Sequence, residues 1–144
     1  MESIQSTYSA HLGEKDDFEK LEHLMQANCK KLGLTWDNYL TVAKRILNDK
    51  NLGKFVYVET EVGEVVGFLF VTYEWSDWRN GIFFWLQAIE SKSGIPEEHI
   101  FPQMKQKLEE YANNDLGYRW CGIRLCNEKS KSKDFEPAVR LFDL

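Results

Sequence analysis

Cysteine is scarce in this chain: Cys29, Cys121 and Cys126 are the three among 144 residues. An odd, scattered trio excludes a disulfide framework and has no zinc-site spacing. Cys121 and Cys126 lie five apart on one predicted strand, which puts them on opposite faces and away from any shared metal. All three read as buried thiols. A catalytic cysteine would want a paired histidine, and neither His11 nor His23 stands in such a context. Apolar runs of membrane length are also missing, since none reaches the roughly 18 to 20 residues that a bilayer span requires. The opening segment, MESIQSTYSAHLGEKDD, lacks the basic-then-apolar layout of a signal peptide, so the expected location is the cytoplasm, with no membrane partner. Basic clusters are absent as well. With 18 Lys and Arg against 23 Asp and Glu, and a formal charge of -5, the chain is poorly suited to neutralise a phosphate backbone, which excludes nucleic acid as a partner.

What is present is a core. Hydrophobic residues make up 43% of the chain and aromatic residues 14%, enough for one domain spanning 1–144. The most telling stretch runs from Glu64 to Glu90. Two β-favouring runs, Val65 to Tyr73 and Ile82 to Ile89, are joined by Trp75-Ser76-Asp77-Trp78-Arg79-Asn80-Gly81, in which Asn80-Gly81 tolerates positive φ. A hairpin of two long, doubly covered strands is expected.

Before it, Phe18, Leu21, Leu24, Met25, Cys29 and Leu32 fall at helical spacing, with Asp16 and Asp17 as caps and Gly33 past the end. A second helix starts after Thr35 and shows Trp36, Tyr39, Leu40, Ala43, Ile46 and Leu47 on one stripe. Phe55 to Thr60 reads as a strand that turns through Glu61 to Glu64 into the hairpin, and a weak first strand falls within Ser3 to Leu12. After the hairpin, Ile100, Met104, Leu108, Tyr111 and Ala112 mark a third helix. Its start lies near His99 or Ile100, because Pro102 is tolerated only in a first turn. Tyr118 to Cys126 is then a strand that a right-handed crossover would place parallel to the one before the helix. A polar loop over Asn127 to Lys133 and a short helix over Asp134 to Leu144 complete the reading. The fold class is α/β (α+β), a mixed and mainly antiparallel sheet with helices on both faces.

This order, with Glu74-Trp75-Ser76-Asp77-Trp78-Arg79-Asn80-Gly81, Trp85-Leu86-Gln87-Ala88-Ile89, and Gly122-Ile123-Arg124-Leu125 followed by Glu128-Lys129, resembles the GNAT (Gcn5-related N-acetyltransferase) superfamily from about Asp16 to the C-terminus. The resemblance implies acetyl-CoA as cofactor and an amine, either a small molecule or an amino terminus, as acceptor, with direct attack in a ternary complex. It also implies that main-chain groups around Ile89, Glu90 and Ser91 pair with the pantetheine arm, while the loop opening the third helix wraps the pyrophosphate. The cofactor-binding set is then Ile89, Glu90, Ser91, Gly94, His99, Ile100, Phe101 and Phe142. A helix N-terminus suits such a role because its orphan N–H groups and partial positive charge attract anions.

The chain departs from the family pattern at two places. The family loop has the form Arg/Gln-x-x-Gly-x-Gly/Ala, and Pro96-Glu97-Glu98-His99-Ile100-Phe101 stands on it without the basic residue or the glycine. Pro96 and Pro102 each lack an N–H donor, and Glu97 and Glu98 bring carboxylates toward the expected diphosphate. Lys92, Gly94 and His99 are the local compensation. On the expected last helix, Ala138 matches the family's small residue and Phe142 stands where a tyrosine would protonate the leaving thiolate. Phenylalanine has no such proton. The chain also ends before the family's last two strands.

Glu59, Glu74 and Asp77 are the acids nearest the expected amine entrance, as a general base or an anchor for a cationic acceptor. The competing reading of all three is solvated carboxylates at strand ends and turns. Three functions fit the residues: an acetyl-CoA-dependent N-acetyltransferase, a catalytically impaired module of the same fold used for binding or regulation, and a homodimeric interaction protein whose sheet edge a second copy covers.

Overall fold

The computed structural model describes residues 8–125. Eight principal elements follow one another: β1 (Ser9–Leu12), α1 (Phe18–Leu32), α2 (Trp36–Asn48), β2 (Lys54–Glu59), β3 (Val65–Ser76), β4 (Gly81–Ser91), α3 (Phe101–Glu110) and β5 (Arg119–Leu125). Gly33 and Thr35 act where sequence places them, whereas Asp17, at the start of α1, makes no side-chain cap bond to that helix. Gly33 closes α1 in the left-handed region at φ 72°, where a Cβ would be strained. The Thr35 hydroxyl accepts the Asn38 amide at 3.3 Å to start α2, satisfying one orphan donor. Before α1, the Asp17 carboxylate accepts the Glu14 amide at 2.8 Å. Pro102 falls in the first turn of α3, and a π-helical turn over Tyr111–Leu116 leads to Gly117 at φ 76°.

The strands form one sheet in the order β1-β2-β3-β4-β5. Successive pairs are antiparallel up to β4, and β4 pairs with β5 in parallel. This is the mixed sheet expected. The hairpin is tighter than its polar joint suggests, because Trp75 pairs with Ile82 and Ser76 with Gly81. Only residues 77–80 turn, with Asn80 at φ 52°.

The sheet divides two cores. On one face, Leu21, Leu24 and Met25 of α1 and Ala43, Ile46 and Leu47 of α2 pack on Phe55, Tyr57 and Phe68. On the other, Ile100, Met104 and Leu108 pack on Val56, Val58, Leu69, Val71, Ile82 and Phe84. Contact there is close enough that a Cβ on Gly67 would overlap the Ile100 side chain, so glycine lets α3 settle on β3. Cys29 is buried, but Cys121 is only half-buried, because β5 gains an extra residue between its pairings with Ile82 and Phe83. That irregularity also removes the simple alternation used to place Cys121 and Cys126 on opposite faces. Cys126, the predicted loop and terminal helix, Ala138 and Phe142 lie outside the described residues. Among the described residues no helix is long and apolar enough to cross a membrane.

Candidate functional site

Strand β4 changes character at Gln87. Phe70 pairs with Ala88 and Val71 with Leu86, which leaves Gln87 as an extra residue on β4. One inserted residue makes a bulge, bends the strand and re-aims the side chains beyond it. Before the bulge Ile82, Phe84 and Leu86 face α3; beyond it Ala88 joins Phe55 and Phe70, and Glu90 meets Asn28 of α1. On the opposite edge, the ladder to β5 runs from Gly81 with Arg119 to Leu86 with Leu125. Residues 87–91 therefore have no strand partner on that side among the described residues.

A cavity of about 470 Å³ opens beside the bulge, between the α1–α2 turn, α2 and the sheet. Gln87, Ala88, Phe55 and Phe70 come from the sheet, Leu32 and Leu34 from the end of α1 and the turn, and Asn38, Tyr39, Thr41, Val42 and Ala43 from α2. Its size is that of an ordinary small-molecule site.

One wall is held by buried polar groups. The Tyr39 hydroxyl donates to Asn28 Oδ1 at 2.8 Å, and Asn28 Nδ2 donates to Glu90 Oε1 at 3.2 Å. Lys31 Nζ then pairs with Glu90 Oε2 at 2.9 Å. Glu90 is only 2% exposed, and a carboxylate in that setting must be paired. Burial pushes the Tyr39 phenol well above its ordinary range, so it stays a neutral donor. These contacts tie α1 and α2 to the far half of β4.

The three candidate acids are not brought together. Glu59 lies at the end of β2 with His11 Nε2 at 3.3 Å and Lys20 Nζ at 3.5 Å. Glu74 lies toward the opposite end of the sheet, where it accepts Trp85 Nε1 at 2.8 Å and faces Arg124 Nε at 3.1 Å. The Arg124 guanidinium, 3% exposed, stacks 3.7 Å from the Phe83 ring centre. Asp77, in the hairpin loop, accepts Trp75 Nε1 at 2.6 Å. None of the three lines the cavity. Among the described residues no cluster of metal-ligating side chains is present.

The loop after β4 departs from its expected role in detail. Ile100 is fully buried in the α3 core and its amide donates to the Glu97 carbonyl at 3.0 Å, so both side chain and N–H are already used. Phe101 is half-buried against the same core. The His99 amide donates to Pro96 at 3.0 Å, while its side chain is exposed with those of Glu97 and Glu98. The first helical turn is 3₁₀ over Glu97–His99, which leaves the Glu97 and Glu98 amides without an intrahelical acceptor. Gly94, at φ 91°, has nothing within 4 Å of a would-be Cβ. Lys92 pairs with Glu64, and Ser91 pairs with Gly67 across the sheet. Ile89 packs on the α3 core with its side chain, which leaves its peptide at the strand edge.

Sequence reasoning missed the Gln87 bulge, the Tyr39, Asn28 and Glu90 chain, and the cavity. The signal for the last was Leu34 in the turn and Val42 off the apolar stripe of α2; Leu32, expected on the buried stripe of α1, is instead 45% exposed and lines the cavity.

No family model matches the chain, and no curated protein does. Solved structures do. A possible acetyltransferase from Clostridium difficile 630 is 23% identical, with a TM-score of 0.68 over 96% of this chain and 90% of that one. A GNAT family acetyltransferase from Staphylococcus aureus is 20% identical, with a TM-score of 0.62 over 84% and 88%. An aminoglycoside N-acetyltransferase in complex with CoA is 15% identical, with a TM-score of 0.65 over 92% and 86%. Five strands with one parallel pair and helices on both faces, together with these likenesses over most of the chain, lead to one conclusion: the chain has the GNAT fold.

Proposed function

We propose that the protein is an acetyl-CoA-dependent N-acetyltransferase acting on an amine. The observation that carries this reading is the bulge at Gln87, which sets the cavity wall beside a stretch of β4, residues 87–91, whose outer edge has no strand partner among the described residues. Peptide groups along such an edge can pair with an extended amide chain as a further strand would. The residues present fit the cofactor's pantetheine arm there, through the main chain of Ile89, Glu90 and Ser91. For the pyrophosphate they offer backbone donors, the orphan amides of Glu97 and Glu98 beside the open Gly94. Acetyl-CoA would supply the acetyl group as a thioester.

The chain's own part is to position and to exclude water. Main-chain N–H groups beyond the bulge would stabilise an oxyanion without a side chain. The Tyr39, Asn28 and Glu90 contacts hold the helix wall in place against β4. Among the described residues no carboxylate or imidazole lines the cavity, so the amine would shed its proton to water or on entry into apolar surroundings, which disfavour the ammonium.

A catalytically impaired binding module is the second reading, and the exposed Glu97 and Glu98 next to Pro96 favour it. Calorimetric titration with acetyl-CoA separates the two. Micromolar binding, with product formed from an added amine, supports the transferase; no heat at millimolar acetyl-CoA removes it.

A further inference from the structure

We propose that the cavity between the α1–α2 turn and β4 takes a small primary amine carrying an aryl or branched-alkyl group, and that it rejects polycationic acceptors. The reacting nitrogen rests on the transferase reading above, whereas the preference for an apolar group rests on the cavity alone. Leu32, Leu34 and Val42 are 45%, 51% and 49% exposed, and all three line this one concavity. Large apolar side chains left to water and gathered in one concave place mark a binding surface. Opposite them stand Phe55, Phe70 and Ala88.

Charge complementarity points the same way. Among the described residues the one ionisable group in the lining is Tyr39, kept neutral by burial and by its bond to Asn28. Glu90 lies behind Asn28 and is paired with Lys31, so it offers no free charge to an entering cation. A polyamine would strip water from several ammonium groups with no carboxylate to receive them, and unpaired buried charges are costly. Three of the four polar lining side chains are already committed, since Tyr39 donates to Asn28 Oδ1, Thr41 to the Asp37 carbonyl and Gln87 to Thr72 Oγ1. Asn38 remains to orient one polar group. A single amine entering such surroundings is favoured in its free-base form. In the transfer, the amine nitrogen bonds to the acyl carbon as the C–S bond breaks; the sulfur keeps the electron pair and takes up the proton that the nitrogen loses.

The test uses 2-phenylethylamine, 3-methylbutylamine and kanamycin as probes on the full chain. Binding is read by ligand-observed NMR without acetyl-CoA, and acetylated product by mass spectrometry with it. The two apolar amines should bind at least about tenfold tighter than kanamycin. A Leu34→Ser, Val42→Ser double variant, checked for folding by circular dichroism, should bind 2-phenylethylamine about tenfold more weakly, because it removes apolar wall. Equal or tighter binding of kanamycin, or unchanged binding by the folded double variant, overturns the assignment. If acetyl-CoA binds but the amines are not discriminated, this inference fails alone. If acetyl-CoA gives no heat while the apolar amines bind and the double variant loses them, the transferase reading fails and the apolar site stands.

Discussion

The two faces of the sheet are built to different rules. Toward α3, Val56, Leu69, Val71 and Phe84 meet Ile100, Met104 and Leu108 in an apolar layer with each of these residues closed to solvent. Toward α1 and α2 the core begins in the same way around Leu21 and Met25. Near β4 it gives way to Asn28, Glu90 and Tyr39 and then opens into the cavity. Tight packing maximises stability, whereas a cavity must be held open by something stiffer than dispersion. Here paired polar groups do that, at the cost that each must keep its partner.

Substitutions should expose this asymmetry. The largest loss is expected from Leu108→Ala on the closed face, about 2–5 kcal/mol of stability in urea unfolding; a loss below about 1 kcal/mol would mean that α3 can collapse to refill the space. Asn28→Ala should cost about 1–3 kcal/mol, because it strands the Tyr39 hydroxyl and one Glu90 oxygen in the interior. Its amide-exchange protection should fall at the end of α1 and the start of α2 and stay unchanged in α3, and loss spread evenly over both faces would break the contrast.

Each face also buries a phenol, and alkaline pH reads both. Burial raises Tyr39 on one side and Tyr73 on the other, Tyr73 with help from its hydrogen bond to Tyr111. A folded-state pKa above the unfolded value contributes stability that is full below the unfolded pKa, near 10, and is lost as pH rises beyond it. The urea midpoint should therefore hold to about pH 9 and then fall. Tyr73→Phe should make that fall shallower, although it also frees the Lys50 carbonyl, which now accepts the Tyr73 hydroxyl at 2.6 Å. The smallest effect belongs to the cavity rim: Leu34→Ser with Val42→Ser should shift stability by no more than about 0.5 kcal/mol per site. A larger drop would show that these side chains serve the fold rather than a ligand.

Sequence made the framework legible where one residue type decides local geometry. Gly33, Thr35 and Asn80 stop or turn the chain by their own chemistry, and the aromatic and β-branched runs could only be strands. It failed where the deciding partner is distant in the chain. Glu90 enters the sequence reading only through its main chain, and its side chain finds a role once Asn28, sixty-two positions earlier, is placed against it. Glu74 looked available for chemistry until Trp85 and Arg124 claimed it. Ile100 looked like part of a phosphate loop, but Gly67 leaves room for it in the core. The bulge has no marker of its own, because Gln87 is neither glycine nor proline, and only the pairing of Phe70 and Val71 with the neighbouring strand reveals it.

That single unpaired residue lets one strand obey two phases. Even-numbered side chains from Ile82 to Leu86 serve the α3 side, and even-numbered side chains from Ala88 to Glu90 serve the opposite one. Deleting Gln87 would close the bulge yet leave Glu90 facing Asn28 and Ile89 facing the α3 core, so what the extra residue supplies is the bend beside the cavity. The outer half of the strand can thus be retuned for a new guest while the inner half goes on anchoring the sheet.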